Sequence, residues 1–284
     1  MNSAQRVIKY CAIALAVFLA IGIISFMVNI VHGIVTFTSG SRFRSNNHDY
    51  KTVDFDETFS GVRSLNIDNA TGTLGIRVGD TFRVEGSNVL EGFKAEVDGK
   101  GTLIVSDNES GFQLWGVDFK GINNPKSKIT IYVPEDFVAE EVRINTGAGA
   151  VNLEDFSTEY LYISAGAGNI NGRNLIADKV KVEGGVGSIS LGNVTFKDTK
   201  FSCGVGNVYI SGVLLEENSF DCGVGEVELE LTGDIDDYNL DIDSGVGTVR
   251  VNGKKIDELN QTNRFAEHSI EVDGGVGNVR IDIE

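Results

Sequence analysis

Apolar and polar residues alternate with period two through the second half of the chain, as in Val180-Lys181-Val182-Glu183 and Val249-Arg250-Val251. That alternation predicts half-buried strands, and the many β-branched residues at the apolar positions agree with it. A tripeptide, Gly-apolar-Gly, punctuates the pattern seven times, starting at Gly147, Gly166, Gly185, Gly204, Gly223, Gly245 and Gly275. The first five start 19 residues apart, and the last two steps lengthen to 22 and 30. A fixed period of this size predicts a stacked array, in which each unit buries its apolar edge against its neighbours.

Aligned on the first Gly, the units form columns. Ile144, Ile163, Val182, Phe201, Phe220, Ile242 and Val272 precede it by three residues; Val151, Ile170, Ile189, Val208, Val227, Val249 and Val279 follow the second Gly by two. Phe156, Leu175, Val194 and Val213 continue at the same 19-residue period. The parity of alternation switches across each Gly-x-Gly, so the chain bends there, and glycine tolerates the positive φ such a bend needs. The residue before each first Gly is small (Thr146, Ala165, Gly184, Cys203, Cys222, Ser244, Gly274), which predicts a narrow interior at that point. The fold class is therefore all-β: a single-stranded parallel β-solenoid with β-helix-like coils of about 19 residues and strands about 4.8 Å apart.

The glycine run invites comparison with a calcium-binding β-roll, and Gly184-Gly185-Val186-Gly187 begins like one. The position that needs the liganding Asp is Ile189, however, and its counterparts are Val or Ile. A phosphate-cradling loop fits no better, because no Lys-Ser/Thr pair follows a Gly-x-Gly. We expect no cofactor and no metal. The acidic run Asp234, Asp236, Asp237, Asp241 and Asp243 sits in a lengthened turn and reads as a solvated loop before a cation site.

Ahead of the strands, Tyr10 to Val28 is almost free of polar side chains, long enough to span a bilayer. The length exceeds a signal-peptide core, and no Ala-x-Ala pattern follows. Residues 1–37 are expected to form one N-terminal transmembrane helix, 38–52 a flexible stalk, 53–140 an irregular N-terminal part of the solenoid with capping elements, and 141–284 the regular repeat. Arg6 and Lys9 lie on one side of the anchor, Arg42 and Arg44 on the other, so the positive-inside rule barely discriminates. Composition tips the balance. Without Arg6 and Lys9, the 24 Lys and Arg fall to 22 against 41 acidic groups. An acidic, Gly-rich solenoid on a stalk suits the extracytoplasmic side, with the N-terminus cytoplasmic. The same charge excludes nucleic acid as a partner.

Cys203 and Cys222 fall in one small column a single repeat apart, where they stack either as core-filling thiols or as a disulfide. No His lies near them in sequence, and His32, His48 and His268 are scattered. One stretch, Asn108 to Lys126, breaks the alternation and carries Phe112, Trp115 and Phe119. Aromatics in an irregular loop form a candidate interaction surface; the alternative is that they plug an open end or side of the solenoid.

The Leu65-to-Val78 unit, the strand ending Val133-Pro134-Glu135-Asp136, and the run of apolar-x-small-Gly-x-Gly-x-apolar units resemble the bacterial putative-adhesin family of unknown function, within the toastrack-type β-solenoid group. The resemblance covers roughly Val53 to Glu284 and implies a domain often carried behind one membrane helix, with some members linked to cell-envelope stress. It implies no catalytic or binding residues. The expected function is a membrane-anchored extracytoplasmic interaction module in envelope stress sensing or regulation, meeting an envelope protein or a cell-wall or surface ligand. A surface adhesin is the alternative, and self-association through the solenoid ends a third. A polysaccharide-acting enzyme needs clustered carboxylates and sugar platforms, whereas the outward column Asn152, Asn171, Ser190, Tyr209, Glu228, Arg250, Arg280 mixes types. The chain is therefore expected not to be an enzyme.

Overall fold

Alternation at period two becomes strand after strand, and seventeen of the described strands join one continuous sheet. A computed structural model describes residues 51–107, 112–114, 117–119, 126–256, 263 and 265–284. The predicted anchor, and the stalk as far as Tyr50, lie outside the described residues. Among the described residues, no helix is long and apolar enough to cross a membrane, and the only helix is the short 3-10 turn Ile235–Asp237.

The 19-residue period is the pairing register. Phe201 stands beside Val182 on one side and Phe220 on the other, in parallel ladders. Ile189 stands likewise between Ile170 and Val208. One strand assignment runs unbroken from Val138 to Val186, because the ladder continues around the bends. The inward columns are the core: Ile144, Ile163, Val182, Phe201 and Phe220 are all fully buried. The Phe201 and Phe220 rings stack with centroids 5.2 Å apart.

The glycine bends are required twice over. Gly149, Gly168, Gly187, Gly206, Gly225 and Gly277 have φ between +141° and +156°. A Cβ on Gly206 would also lie 1.7 Å from the carbonyl oxygen of Gly187 in the adjacent coil. The Leu65-to-Val78 unit is a true coil of the same kind, with Ile67 paired to Ile144, Gly72 to Gly149 and Leu74 to Val151.

Spatial order departs from chain order at both ends. His268–Val276 lies between Glu217–Val224 and Tyr238–Asp243, so the core column runs Phe220, Val272, Ile242. Val279–Ile283 is likewise flanked by Val227–Leu231 and Val249–Val251. The 22- and 30-residue steps are thus one coil set at the end of the stack and a later coil inserted beneath it. At the other end, Ser64–Val78 has Thr102–Ser106 and Lys128–Val133 on one side and Val138–Val186 on the other. Antiparallel strands then finish that end: Lys94–Val97 on Thr102–Ser106, and Arg83–Leu90 followed by Thr52–Thr58 on Lys128–Val133.

One expected column breaks. Val194 pairs with Gly212, not Val213, and Leu214 is the residue buried at that level. Gly212 has φ +133°, and the register shifts between Leu191 and Val194. The register is regained by Asn218, opposite Thr199, after Glu216 at φ +56°.

Candidate functional site

The outward residues two before the first Gly of the five regular units, Asn145, Ser164, Glu183, Ser202 and Asp221, fall in register with Asp68, which stands two before Ala70. The parity switch at the bend leaves the next inward residue and the first Gly beside them, and together they line an open groove of about 790 Å³. Its floor is bare glycine (Gly147, Gly166, Gly185, Gly204), because a Cβ there would strike a carbonyl oxygen of the coil beneath. The lining spans from Asp107 to Asp221, roughly 29 Å at about 4.8 Å per strand step.

The groove changes character along its length. Asp107, Asn69 and Thr146 occupy the small column at the N-terminal end, and Ala165, Gly184 and Cys203 continue it. Asp107, just past the strand Thr102–Ser106, donates its N–H to the Asp68 carbonyl at 3.2 Å. The Asp107 carboxylate then meets the backbone of the strand Ser64–Val78. Its oxygens accept the Ala70 N–H at 3.0 and 3.2 Å. With its amide oriented to suit its neighbours, Asn69 donates to the Thr71 carbonyl at 2.9 Å and to Asp107 Oδ2 at 3.2 Å. Ser127 donates its hydroxyl to the Thr71 carbonyl at 2.7 Å.

Asp107 is 5 % exposed. Burial pushes its carboxyl up to about 6, opposed by the Ala70 and Thr71 N–H groups and aided by the nearby Asp68 charge. Asp68 accepts the Asn145 amide at 2.8 Å. Thr146 is 7 % exposed, and its hydroxyl finds no hydrogen-bond partner in the protein. Buried hydroxyls are nearly always satisfied, so this one marks the polar end as unfinished. Further along, Glu183 is held below the usual carboxylate range by Lys181 first and the Tyr162 hydroxyl second. Lys181 Nζ lies 2.7 Å from its carboxylate, and Tyr162 donates at 2.8 Å.

Of the sequence candidates, Phe112 and Phe119 stand opposite each other on the antiparallel strands Phe112–Leu114 and Val117–Phe119. Trp115 and the side chains of both phenylalanines lie outside the described residues. The strand Val117–Phe119 comes close to Val138–Val186, which carries part of the groove. Cys203 and Cys222 are directly paired and are free thiols; the adjoining Cys222 sulfur first and burial second hold Cys203 above the usual thiol range. In the acidic turn, Asp234 caps Ile235–Asp237 by accepting the Asp236 N–H, and Asp243 accepts the Gly245 N–H at 2.7 Å. Among the described residues, no three His, Cys, Asp or Glu side chains gather to hold a metal.

Comparison with known families settles the kinship of this arrangement. The Toastrack DUF4097 profile matches residues 62–262, which takes in the groove and most of the coils. The chain belongs to the Toastrack DUF4097 family. Two solved structures resemble the chain at a distance. A putative cell adhesion protein from Clostridium sporogenes is 19% identical, with 82% of this chain and 100% of that chain covered and a TM-score of 0.43. A putative adhesin from Bacteroides fragilis is 14% identical, covering 81% of this chain and 96% of that chain, with a TM-score of 0.36. No curated protein matches the chain.

Within this Toastrack domain, the sequence reading passed over two features. Asp155, Asn174 and Asn193 take φ of +57°, +54° and +52° at one corner of successive coils. Their side chains form a ladder, Asn174 donating to Asp155 at 2.5 Å and Asn193 to Asn174 at 2.7 Å. Their 19-residue spacing and their tolerance of left-handed backbone were legible signals. The second feature is the polar end of the groove. Asp107 lies 39 residues before Thr146 in the chain, and only the insertion of Ser64–Val78 between their coils brings them together.

Proposed function

We propose that this chain is a membrane-anchored, extracytoplasmic interaction module of the cell envelope, acting in stress sensing or regulation, with the groove as its working surface. The observation that carries the reading is the groove itself: an open channel crossing successive coils, with an unsatisfied hydroxyl at its polar end. The reading is of binding without catalysis, supported by the mixed residue types of the outward column Asn152, Asn171, Ser190, Tyr209, Glu228, Arg250, Arg280. The apolar run before the strands and the acidic balance of the rest support the membrane-tethered, outward placement. Surface adhesion is the competing reading. A stalk over 38–52 reaches at most about 50 Å when extended, too short to carry the domain through a thick wall, and this favours sensing.

Tryptic shaving of wall-stripped intact cells tests the placement. Arg42, Arg44 and Lys51 offer cleavage before the first described strand, Thr52–Thr58. Release of an intact fragment beginning between residues 43 and 52 is the expected result. Retention in intact cells, with cleavage in a lysate, would put the domain inside and remove both the sensing and the adhesion readings.

A further inference from the structure

We infer that the polar end of the groove binds a primary ammonium group, with Asp68, Asp107 and the Thr146 hydroxyl as its acceptors. The inference rests on the groove being the working surface and adds the class of ligand. Asp68, Asn69, Asp107, Asn145 and Thr146 meet there, from three adjacent coils. Four lining residues are carboxylates (Asp68, Asp107, Glu183, Asp221), and no Lys or Arg is among the described lining residues. Glu183 is already neutralised by Lys181, which leaves the uncompensated charge nearest the hydroxyl on Asp68 and Asp107.

The unpartnered Thr146 hydroxyl points to a ligand independently of the acids. It is buried to more than nine-tenths and lines the groove, and no protein group satisfies it. Leaving such a group unpaired costs about 1–3 kcal/mol, a cost that a bound donor removes. An ammonium has three donors and no acceptor, matching two carboxylates and a hydroxyl oxygen. Other ligand classes fit less well. A divalent cation prefers six or more oxygens and a denser carboxylate set than the described residues provide. An anion finds no positive side chain, and a neutral sugar finds no aromatic platform among the described lining residues. Ionised Asp107 is disfavoured by burial and by Asp68, and a cation between them relieves both effects.

Primary ammonium groups occur on lysine side chains and on amino sugars. The test is calorimetric titration of the full-length chain with tetralysine, with a tetramer of glucosamine, and with its N-acetylated counterpart. We expect the ammonium-bearing probes to bind and the acetylated tetramer not to, the tighter of the two binders identifying the source. Thr146→Val is expected to weaken binding at least fivefold while unfolding no more easily than the parent, since it removes an unsatisfied hydroxyl. Asp68→Asn is expected to weaken it about tenfold, and Asp236→Asn, in the distant turn, to leave it unchanged. Equal binding of the acetylated tetramer would overturn the inference in favour of a hydroxyl-reading site. Equal losses in all three variants, or none in Thr146→Val and Asp68→Asn, would reduce the binding to general attraction by an acidic protein. The shaving experiment reads placement and this titration reads the ligand, so either can fail alone.

Discussion

Gly206 and Gly192 are chemically identical and structurally opposite. Gly206 has φ +150° and its Cβ position is occupied by a carbonyl oxygen 1.7 Å away; Gly192 would meet nothing closer than Ser211 Oγ at 3.7 Å. Gly206→Ala is therefore expected to destabilise the domain by about 3 kcal/mol or more, and Gly192→Ala by less than about 1 kcal/mol. Denaturant midpoints of the two variants check this, and equal shifts would show that the bend is not strained. Asp107 supplies a pH signature. Its folded value, about 6, lies above the ordinary carboxylate value of 3.8. Between the two, the folded state keeps a proton that the unfolded state has lost, so this group's contribution is fully present below about pH 4 and disappears as pH rises through 6. The shift corresponds to 2–3 kcal/mol on the order of magnitude. Relative to Asp107→Asn, the parent should gain stability as pH falls from 7 to 4.5; parallel stability profiles would contradict that. The glycine requirement was legible from the sequence, because seven Gly-x-Gly units switch parity at one phase. The role of Asp107 was not, since it depends on its carboxylate reaching the backbone N–H of Ala70, 37 residues away in the chain.

Strand assignment is easy when alternation is this regular, but alternation does not say which strand lies beside which. Phe201 beside Phe220 follows from the unbroken period. Val272 beside Phe220, with Ile242 beyond it, does not, because every coil offers the same apolar edge. The lengthened 22- and 30-residue steps were visible, and only the pairing shows that they let the later coil slip beneath the earlier one. Val213 fails for a related reason: Gly212 permits a local shift that no periodicity announces. Insertion has a consequence for dynamics. His268–Val276 is paired along both edges, so its amides should exchange with solvent as slowly as those of Glu217–Val224. Hydrogen exchange measured by mass spectrometry reads both strands. Rapid exchange confined to His268–Val276 would mean that the coil frays as an end and is not held within the stack.

At the scale of the molecule, the groove exists because coils repeat: one outward column, one glycine floor and one small inward column are copied along the axis. Repetition made the columns readable from sequence, and it hid the site, whose polar end lies where the repeat is degenerate. The acidic balance of the chain, 41 Asp and Glu against 24 Lys and Arg, favours a cationic partner over nucleic acid or other polyanions. The central claim is that this groove meets a partner in the cell. The most direct test places a photo-reactive residue at Ser164, inside the groove, or at Ser190, exposed on the outward column of the other face. Irradiation of intact cells should yield a discrete adduct from the Ser164 position, none from Ser190, and a weaker one when Thr146→Val is added. Adducts of equal strength from both positions, or from Ser190 alone, would contradict the groove as the working surface.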